Sequence, residues 1–331
     1  MASDDRQPAP ASCWVLSPGH AGMENQALGL AERLDVPFSV KRVRPRRPWI
    51  WLPVTHWPAP HLALDRTAGD ALEPPWPDLL IASGRRAIPY ALAIRRASAG
   101  RTFTIYLQDP RIAPAHFDLV VPPEHDGLAG DNVASTLGAL HRITPARLTE
   151  AADAWHARFA DLPRPLAAVL LGGSNKVFRL TPERLRDFGR HLAALAADRG
   201  IGLVVTASRR TGEANLAAFR EGLDTTPAYV WDGRGDNPYF AMLALSDHLI
   251  LTADSVSMAS EAVATGKPVH VLTLEGDGGK FARFHAALVE RGYARPFEGE
   301  LPVWDYLAPD EPGRIAALVR ARYAARGTRS A

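Results

Sequence analysis

The most constraining stretch of this chain runs from Asp247 to Val271. It opens on a short apolar run, Leu249-Ile250-Leu251, of the length of a buried parallel strand. Asp254 or Ser255 then stands where a helix cap belongs, and Val256–Thr265 has helical composition. Gly266 is placed to end that helix and Pro268 to stop it continuing. A second apolar run follows at Val269–Leu272. Strand, loop, helix and strand in that order form one βαβ unit, which commits the surrounding chain to an α/β fold.

The chemistry of that unit sits at the start of its helix. A helix N-terminus presents unpaired N–H groups and the positive end of the peptide dipole, which suits a phosphate. Ser255 and Ser257 add hydroxyls there, and Glu261, four residues beyond Ser257, shares its face and can accept from ribose hydroxyls. The same residues also read as a capped, half-exposed helix with a solvated carboxylate, and a single βαβ motif does not separate the two.

The rest of the chain repeats the plan. In the first half, Cys13–Leu16, Val36–Val43, Leu79–Ala82, Thr102–Leu107 and Leu119–Val121 read as strands. In the second, Ala167–Leu171, Leu203–Thr206 and Tyr229–Trp231 precede the opening unit. Each half places a glycine-bearing loop after its first strand: Ser17–Asn25, and Gly172-Gly173-Ser174-Asn175-Lys176. The second loop can bring backbone amides to an anion, with Ser174 donating and Lys176 neutralising charge. It lacks the trailing Gly-Lys-Ser/Thr of a nucleotide triphosphatase loop, and the first lacks dinucleotide-binding glycine spacing. A tight surface turn is the competing reading of 172–176. Three loops of the second half (172–176, 208–210 and 254–258) carry phosphate-suited groups at one sheet edge, which favours a ligand.

The chain has 331 residues, enough for two domains. Pro163 and Pro165 mark the boundary. The expectation is two Rossmann-like domains facing a cleft: a disordered tail over 1–12, a first domain over 13–162 and a second over 163–308. A C-terminal helix within 309–331 packs back on the first.

The formal net charge is only +2, so overall charge lends nothing to a nucleic-acid role. The single cysteine excludes an intramolecular disulfide and a cysteine-cluster metal site. No other spacing suits zinc, and no metal is expected. No Gly-x-Ser-x-Gly elbow occurs, which disfavours a serine hydrolase. The N-terminus lacks a basic segment and an apolar core, so no export signal is expected, and no apolar run reaches membrane-spanning length. A cytoplasmic location follows.

His20, Glu24, Asp109, Glu124, His125 and Asp126 are the first half's candidate acids and bases, each equally legible as a cap or a solvated side chain. Residues 41–57 combine five cations with Trp49, Trp51 and Trp57, broken by prolines. They read either as a loop resting on an anionic membrane, at the inner face, or as core tryptophans beneath a solvated arginine face.

Six segments, GHAGMENQALGLAERL at 19–34, ASGRR at 82–86, QDPR at 108–111, PPEHD at 122–126, LGGSNK at 171–176 and TADSVSMASEAVATGKPV at 252–269, resemble the mitochondrial-fission-factor-like family. Its bacterial members are regarded as glycosyltransferases of the two-Rossmann, GT-B type, associated with cell-envelope glycolipids such as lipopolysaccharide, or with polysaccharides. The resemblance implies that the second domain binds a nucleotide-sugar without metal or other cofactor. Gly172, Gly173, Ser174, Lys176, Arg209, Asp254, Ser255, Ser257 and Met258 would surround the diphosphate. Glu261 would hold the ribose, and the base would lie near Trp231. The first domain would take a lipid-linked or saccharide acceptor near Gly22, Asn25, Gln26, Arg85, Arg111, Glu124 and His125, with Asp109 or His20 as catalytic base. A catalytically silent scaffold for a partner or membrane and a nucleotide-sugar epimerase are the alternatives.

Overall fold

The computed structural model describes residues 9–57, 59–276 and 278–327. It divides into two units, Met1–Arg142 with Asp310–Ala331, and Ile143–Pro309. Residues 1–8 of the expected tail lie outside the described residues. Residues 11 and 12 are held, their amides donating to Asp78 Oδ2 at 2.8 and 3.1 Å.

The first unit carries β1 (Cys13–Ser17), α1 (Ala21–Leu34), β2 (Phe38–Arg42), α2 (Pro60–Ala63), β3 (Leu79–Ser83), α3 (Ile88–Ala97), β4 (Phe103–Leu107) and β5 (Leu119–Val121). The strands form one sheet in the order β2-β1-β3-β4-β5, each pair parallel. Period-two alternation sorts its side chains onto two faces. Val15, Ile81 and Ile105 face a core closed by Leu30 and Leu34 of α1. Leu16, Leu80, Tyr106 and Val120 face the other, closed by Ile88, Tyr90 and Ile94 of α3.

The second unit carries α4 (Pro145–Trp155), β6 (Leu166–Leu171), α5 (Pro182–Arg199), β7 (Gly202–Ala207), α6 (Glu213–Leu223), β8 (Ala228–Val230), α7 (Tyr239–Leu245), β9 (His248–Thr252), α8 (Val256–Val263), β10 (Val269–Leu272), α9 (Gly279–Glu290) and β11 (Ala294–Pro296). Its six parallel strands run β11-β10-β9-β6-β7-β8. The strand order therefore reverses between β6 and β9, where open α/β sheets bind ligands at their carboxyl ends. The last helix, α10 (Glu311–Gly327), belongs to the first unit, where Ile315, Ala316, Val319 and Tyr323 complete the α1 side of the core.

The boundary lies some twenty residues earlier than Pro163 suggests. Residues 143–162 belong to the second unit, because Trp155 and Phe159 pack their rings on Tyr229 at centroid distances of 6.3 and 5.2 Å. Prolines mark chain direction, whereas a domain boundary follows the burial of large apolar groups.

Residues 41–57 resolve into structure as well. Trp57 is 5% exposed and packs edge-on against Tyr90, and Trp49 is half-buried against Trp57. Of the three tryptophans only Trp51, 69% exposed, lies on the surface.

Candidate functional site

The loops after β6, β7 and β9 are laced together by one buried carboxylate. Asp254, its side chain fully buried, accepts from the Gly173 amide at 2.9 Å, Thr252 Oγ1 at 2.6 Å and Arg210 Nη2 at 2.8 Å. Thr252 Oγ1 in turn accepts the Gly172 amide at 2.7 Å. Thr211 Oγ1 donates to the Gly172 carbonyl and bridges back to Ser208 Oγ at 3.2 Å. A Cβ on Gly172 would lie 1.9 Å from Asp254 Oδ1, so only glycine lets the two loops meet.

This network corrects the roles expected for four residues. The Gly172 and Gly173 amides, the Ser174 hydroxyl and the Asp254 carboxylate are engaged within the protein rather than turned to an anion. Ser174 Oγ both accepts from the Leu180 amide and donates to the Leu180 carbonyl. A buried carboxylate repels phosphate, and here it serves to fix the Arg210 guanidinium. Ser255 is also engaged, capping α8 by accepting the Met258 amide at 3.3 Å.

What remains open to a ligand borders a cavity of about 720 Å³ at the carboxyl ends of β7 and β8, lined among others by Ser208, Arg209, Trp231, Asn237, Tyr239 and Met258. Lys176 and Arg209 are exposed and make no hydrogen bond or ion pair within the described residues, and Ser257 lies half-buried in the first turn of α8. Behind the cavity wall, Tyr239 Oη donates to Glu261 Oε2 at 2.5 Å. Burial lifts the Glu261 carboxyl to about 7, with the Tyr239 hydroxyl opposing. Burial, and after it the charge of the neighbouring Glu261 carboxylate, push the Tyr239 phenol well up.

The first unit presents its candidates on the carboxyl edge of its own sheet. His20 is exposed at the cap position of α1, where its side chain makes no capping bond. Gly22 is exposed in the first turn of that helix, and Asn25 and Gln26 are half-buried further along it. Glu24 is committed to Arg42 by two hydrogen bonds of 2.7 and 3.0 Å, which hold its carboxyl below the usual range. Arg85 is exposed after β3. Asp109, after β4, accepts the Arg111 amide at 2.8 Å and pairs with Arg111 Nε at 2.8 Å. Gln108 and Arg111 on either side of this turn adopt left-handed φ values of 83° and 57°. After β5, Glu124 is exposed, His125 is buried and Asp126 Oδ1 lies 3.9 Å from His125 Nε2. His20 and Asp109 follow strands two positions apart in the sheet, roughly 10 Å at the ~4.8 Å strand spacing.

A mitochondrial fission ELM1 family pattern matches residues 21–323. The chain belongs to that family. It is 33% identical over 277 residues to the mitochondrial fission protein ELM1 of Arabidopsis thaliana, covering 76% of this chain and 65% of the relative. The chain thus spans slightly less than two thirds of that relative's length. An uncharacterized protein, RP120, of Rickettsia prowazekii (strain Madrid E) is 23% identical over 351 residues, covering 93% of this chain and 97% of the relative. Among solved structures, the UDP-GlcNAc 2-epimerase of Neisseria meningitidis, bound to UDP-GlcNAc, shares the fold at 13% identity, with a TM-score of 0.53, over 94% of this chain and 98% of its own. No helix of the described residues is long and apolar enough to cross a membrane. No group of three or more His, Cys, Asp or Glu among them is placed to hold a metal ion.

Two residues with clear structural parts were not legible as such. Tyr239 reads as the first residue of an apolar helix, and nothing along the chain pairs it with Glu261, 22 residues on. Lys267, in the Gly-Lys-Pro turn, donates from Nζ to the carbonyls of Leu243 at 3.0 Å, Ser246 at 2.7 Å and Ala244, closing the C-terminal end of α7. Burial lowers its ammonium to about 8. A cation at a helix C-terminus is a general signal, but here it comes from another element and only tertiary packing supplies it.

Proposed function

We propose that the protein is a glycosyltransferase that binds a nucleotide-sugar on its second unit and transfers the sugar to an acceptor on its first. The observation that carries this is the cavity at the carboxyl ends of β7 and β8. Its lining brings together an aromatic side chain (Trp231), a free cation (Arg209), Met258 of α8 and Tyr239, which is hydrogen-bonded to Glu261. Those groups match the parts of a nucleotide-sugar in order. Trp231 faces the base, Glu261 takes ribose hydroxyls, and Lys176, Arg209, Arg210, Ser257 and the α8 amides take the diphosphate. Transfer then needs the departing diphosphate stabilised by preorganised charge, which these cations supply without a metal ion. In an inverting transfer the acceptor hydroxyl also needs a base, and Asp109 is the first choice, with His20 second. The proposed acceptor is a cell-envelope glycolipid or polysaccharide, met from the cytoplasm at the inner face of the membrane. The exposed Arg44, Arg46, Arg47 and Trp51 favour that location.

The fold likeness to an epimerase bound to UDP-GlcNAc favours a second reading, in which the sugar is epimerised rather than transferred. The test is a thermal-shift panel of UDP-, GDP- and CMP-linked sugars, followed by product analysis. A ligand at 100 times its Kd stabilises the native state by about 2.7 kcal/mol. Acceptor-dependent release of nucleoside diphosphate supports transfer, whereas an isomerised donor with the nucleotide still attached supports epimerisation. A panel with no stabilising member defeats both and leaves a binding scaffold.

A further inference from the structure

A second cavity, of about 390 Å³, lies wholly within the first unit. One wall is apolar, made by Ile50, Trp51, Leu52 and Trp57, and the other is made by Arg85 and Arg86. The apolar wall is incompletely covered by the protein: Trp51 is 69% and Leu52 42% exposed. Its shape is nevertheless held, since Trp57 is buried against Tyr90 and donates from Nε1 to the Leu52 carbonyl at 3.3 Å. The side chains of Arg85 and Arg86 are both exposed and make no hydrogen bond or ion pair within the described residues. They follow Gly84, whose φ of +85° and close fit against Met23 and Pro18 fix where the pair leaves the sheet. That point is the end of β3, next to β1, where the order β2-β1-β3-β4-β5 reverses.

We infer that this cavity binds a single amphiphile with a phosphate head, the alkyl chain against Trp51 and Leu52 and the phosphate on Arg85 and Arg86. The inference rests on the acceptor lying on the first unit, and it names that acceptor's chemical class. Adjacent guanidinium groups suit phosphate because each presents a planar fork of donors. An uncharged sugar chain would leave both cations unpaired, and a free anion would leave the tryptophan uncovered; an acidic amphiphile satisfies both walls. Its head would lie on the sheet edge that also carries His20 and Asp109, where a reacting hydroxyl needs a base.

The full chain is titrated with decyl phosphate below its critical micelle concentration, alongside inorganic phosphate and decyl glucoside. Decyl phosphate is expected to bind saturably and at least ten-fold more tightly than either. Joint Arg85→Gln and Arg86→Gln substitution is expected to weaken it ten-fold or more, and Trp51→Ala several-fold. Both variants should keep the wild-type stabilisation by the nucleotide-sugar found in the donor panel. Equal affinity for decyl glucoside, equal affinity for inorganic phosphate, or binding indifferent to the two arginines would each overturn the inference. So would attachment to phosphatidylglycerol vesicles that decyl phosphate does not compete, which would indicate adhesion to a membrane surface. Donor stabilisation without decyl phosphate binding defeats this inference alone. Decyl phosphate binding with no stabilising nucleotide-sugar defeats the donor reading alone.

Discussion

The carboxyl edges of the two sheets are built in opposite ways. On the second, Asp254, Thr252, Thr211 and the amides of Gly172 and Gly173 consume one another's hydrogen-bonding capacity below the surface. On the first, His20, Arg85 and Arg86 are exposed, and the Asp109 carboxylate is held only locally, by Arg111. A stitched edge keeps a cavity in shape before anything binds, which lowers the ordering cost of a rigid, recurring group such as a diphosphate. An open edge leaves charges free for a more varied partner. The left-handed Gln108 and Arg111 flanking Asp109 fit this contrast, since non-glycine residues hold such φ values at a cost of about 1–3 kcal/mol, a feature that concentrates at functional turns.

The sharpest way to break the contrast is to cut the stitching. Asp254→Ala leaves the buried Gly173 amide and Thr252 hydroxyl without their acceptor and the half-exposed Arg210 without its partner, and should cost about 1–3 kcal/mol for each buried donor in chemical denaturation, along with donor binding. Gly172→Ala should be of similar severity, because its Cβ has no room beside Asp254. If either variant keeps wild-type stability, the second edge is no more rigid than the first.

The first edge should behave differently. Asp109→Asn or His20→Ala is expected to lower turnover by about 10²-fold, with melting temperature and donor affinity unchanged. A loss of stability comparable to that of Asp254→Ala would make Asp109 a structural residue and erase the distinction.

Acid should act on both units alike, away from either edge. His141 in the first unit and His270 in the second are buried, and burial lowers each imidazole to about 4. His248, 3.3 Å from His270, is lowered in the same way. A histidine kept neutral by folding contributes stability above its unfolded value of about 6.5, lost as pH falls from there towards 4. Between pH 7 and 5 that amounts to about 2 kcal/mol for each. Urea midpoints at the two pH values should converge in part for His141→Gln and in part for His270→Gln; no change in either variant would show that other groups govern the acid limb.

The smallest expected effect is at the donor cavity. Glu261, lifted to about 7 by burial, must be ionised to accept from ribose hydroxyls. Calorimetric donor affinity should therefore rise by up to about ten-fold from pH 6 to pH 8. Glu261→Gln should remove that dependence and bind roughly ten-fold more weakly. A pH-independent wild type would take the carboxylate out of the donor site.

Along the chain, apolar runs punctuated by Gly and Pro were enough for most of the strands and the doubled α/β plan, because a buried parallel strand is a local signal. The edge strand β11 (Ala294–Pro296) carries an arginine and a proline and gives no such run, and neither it nor α9 was legible. The division at 142/143 was also hidden, since it depends on where Trp155 and Phe159 find Tyr229. Residue types suited to a phosphate were readable in the loops at 172–176, 208–210 and 254–258. Which of them face a ligand was decided only by the fold: it turned Asp254 inward onto Gly173 and Arg210, paired Tyr239 with Glu261 and drew Trp57 into the core against Trp49 and Tyr90. Spacing along a chain reports which residues share a strand or helix face. Hydrogen-bond capacity is shared among groups distant in sequence, and only the tertiary structure determines which of them is left over to meet a ligand.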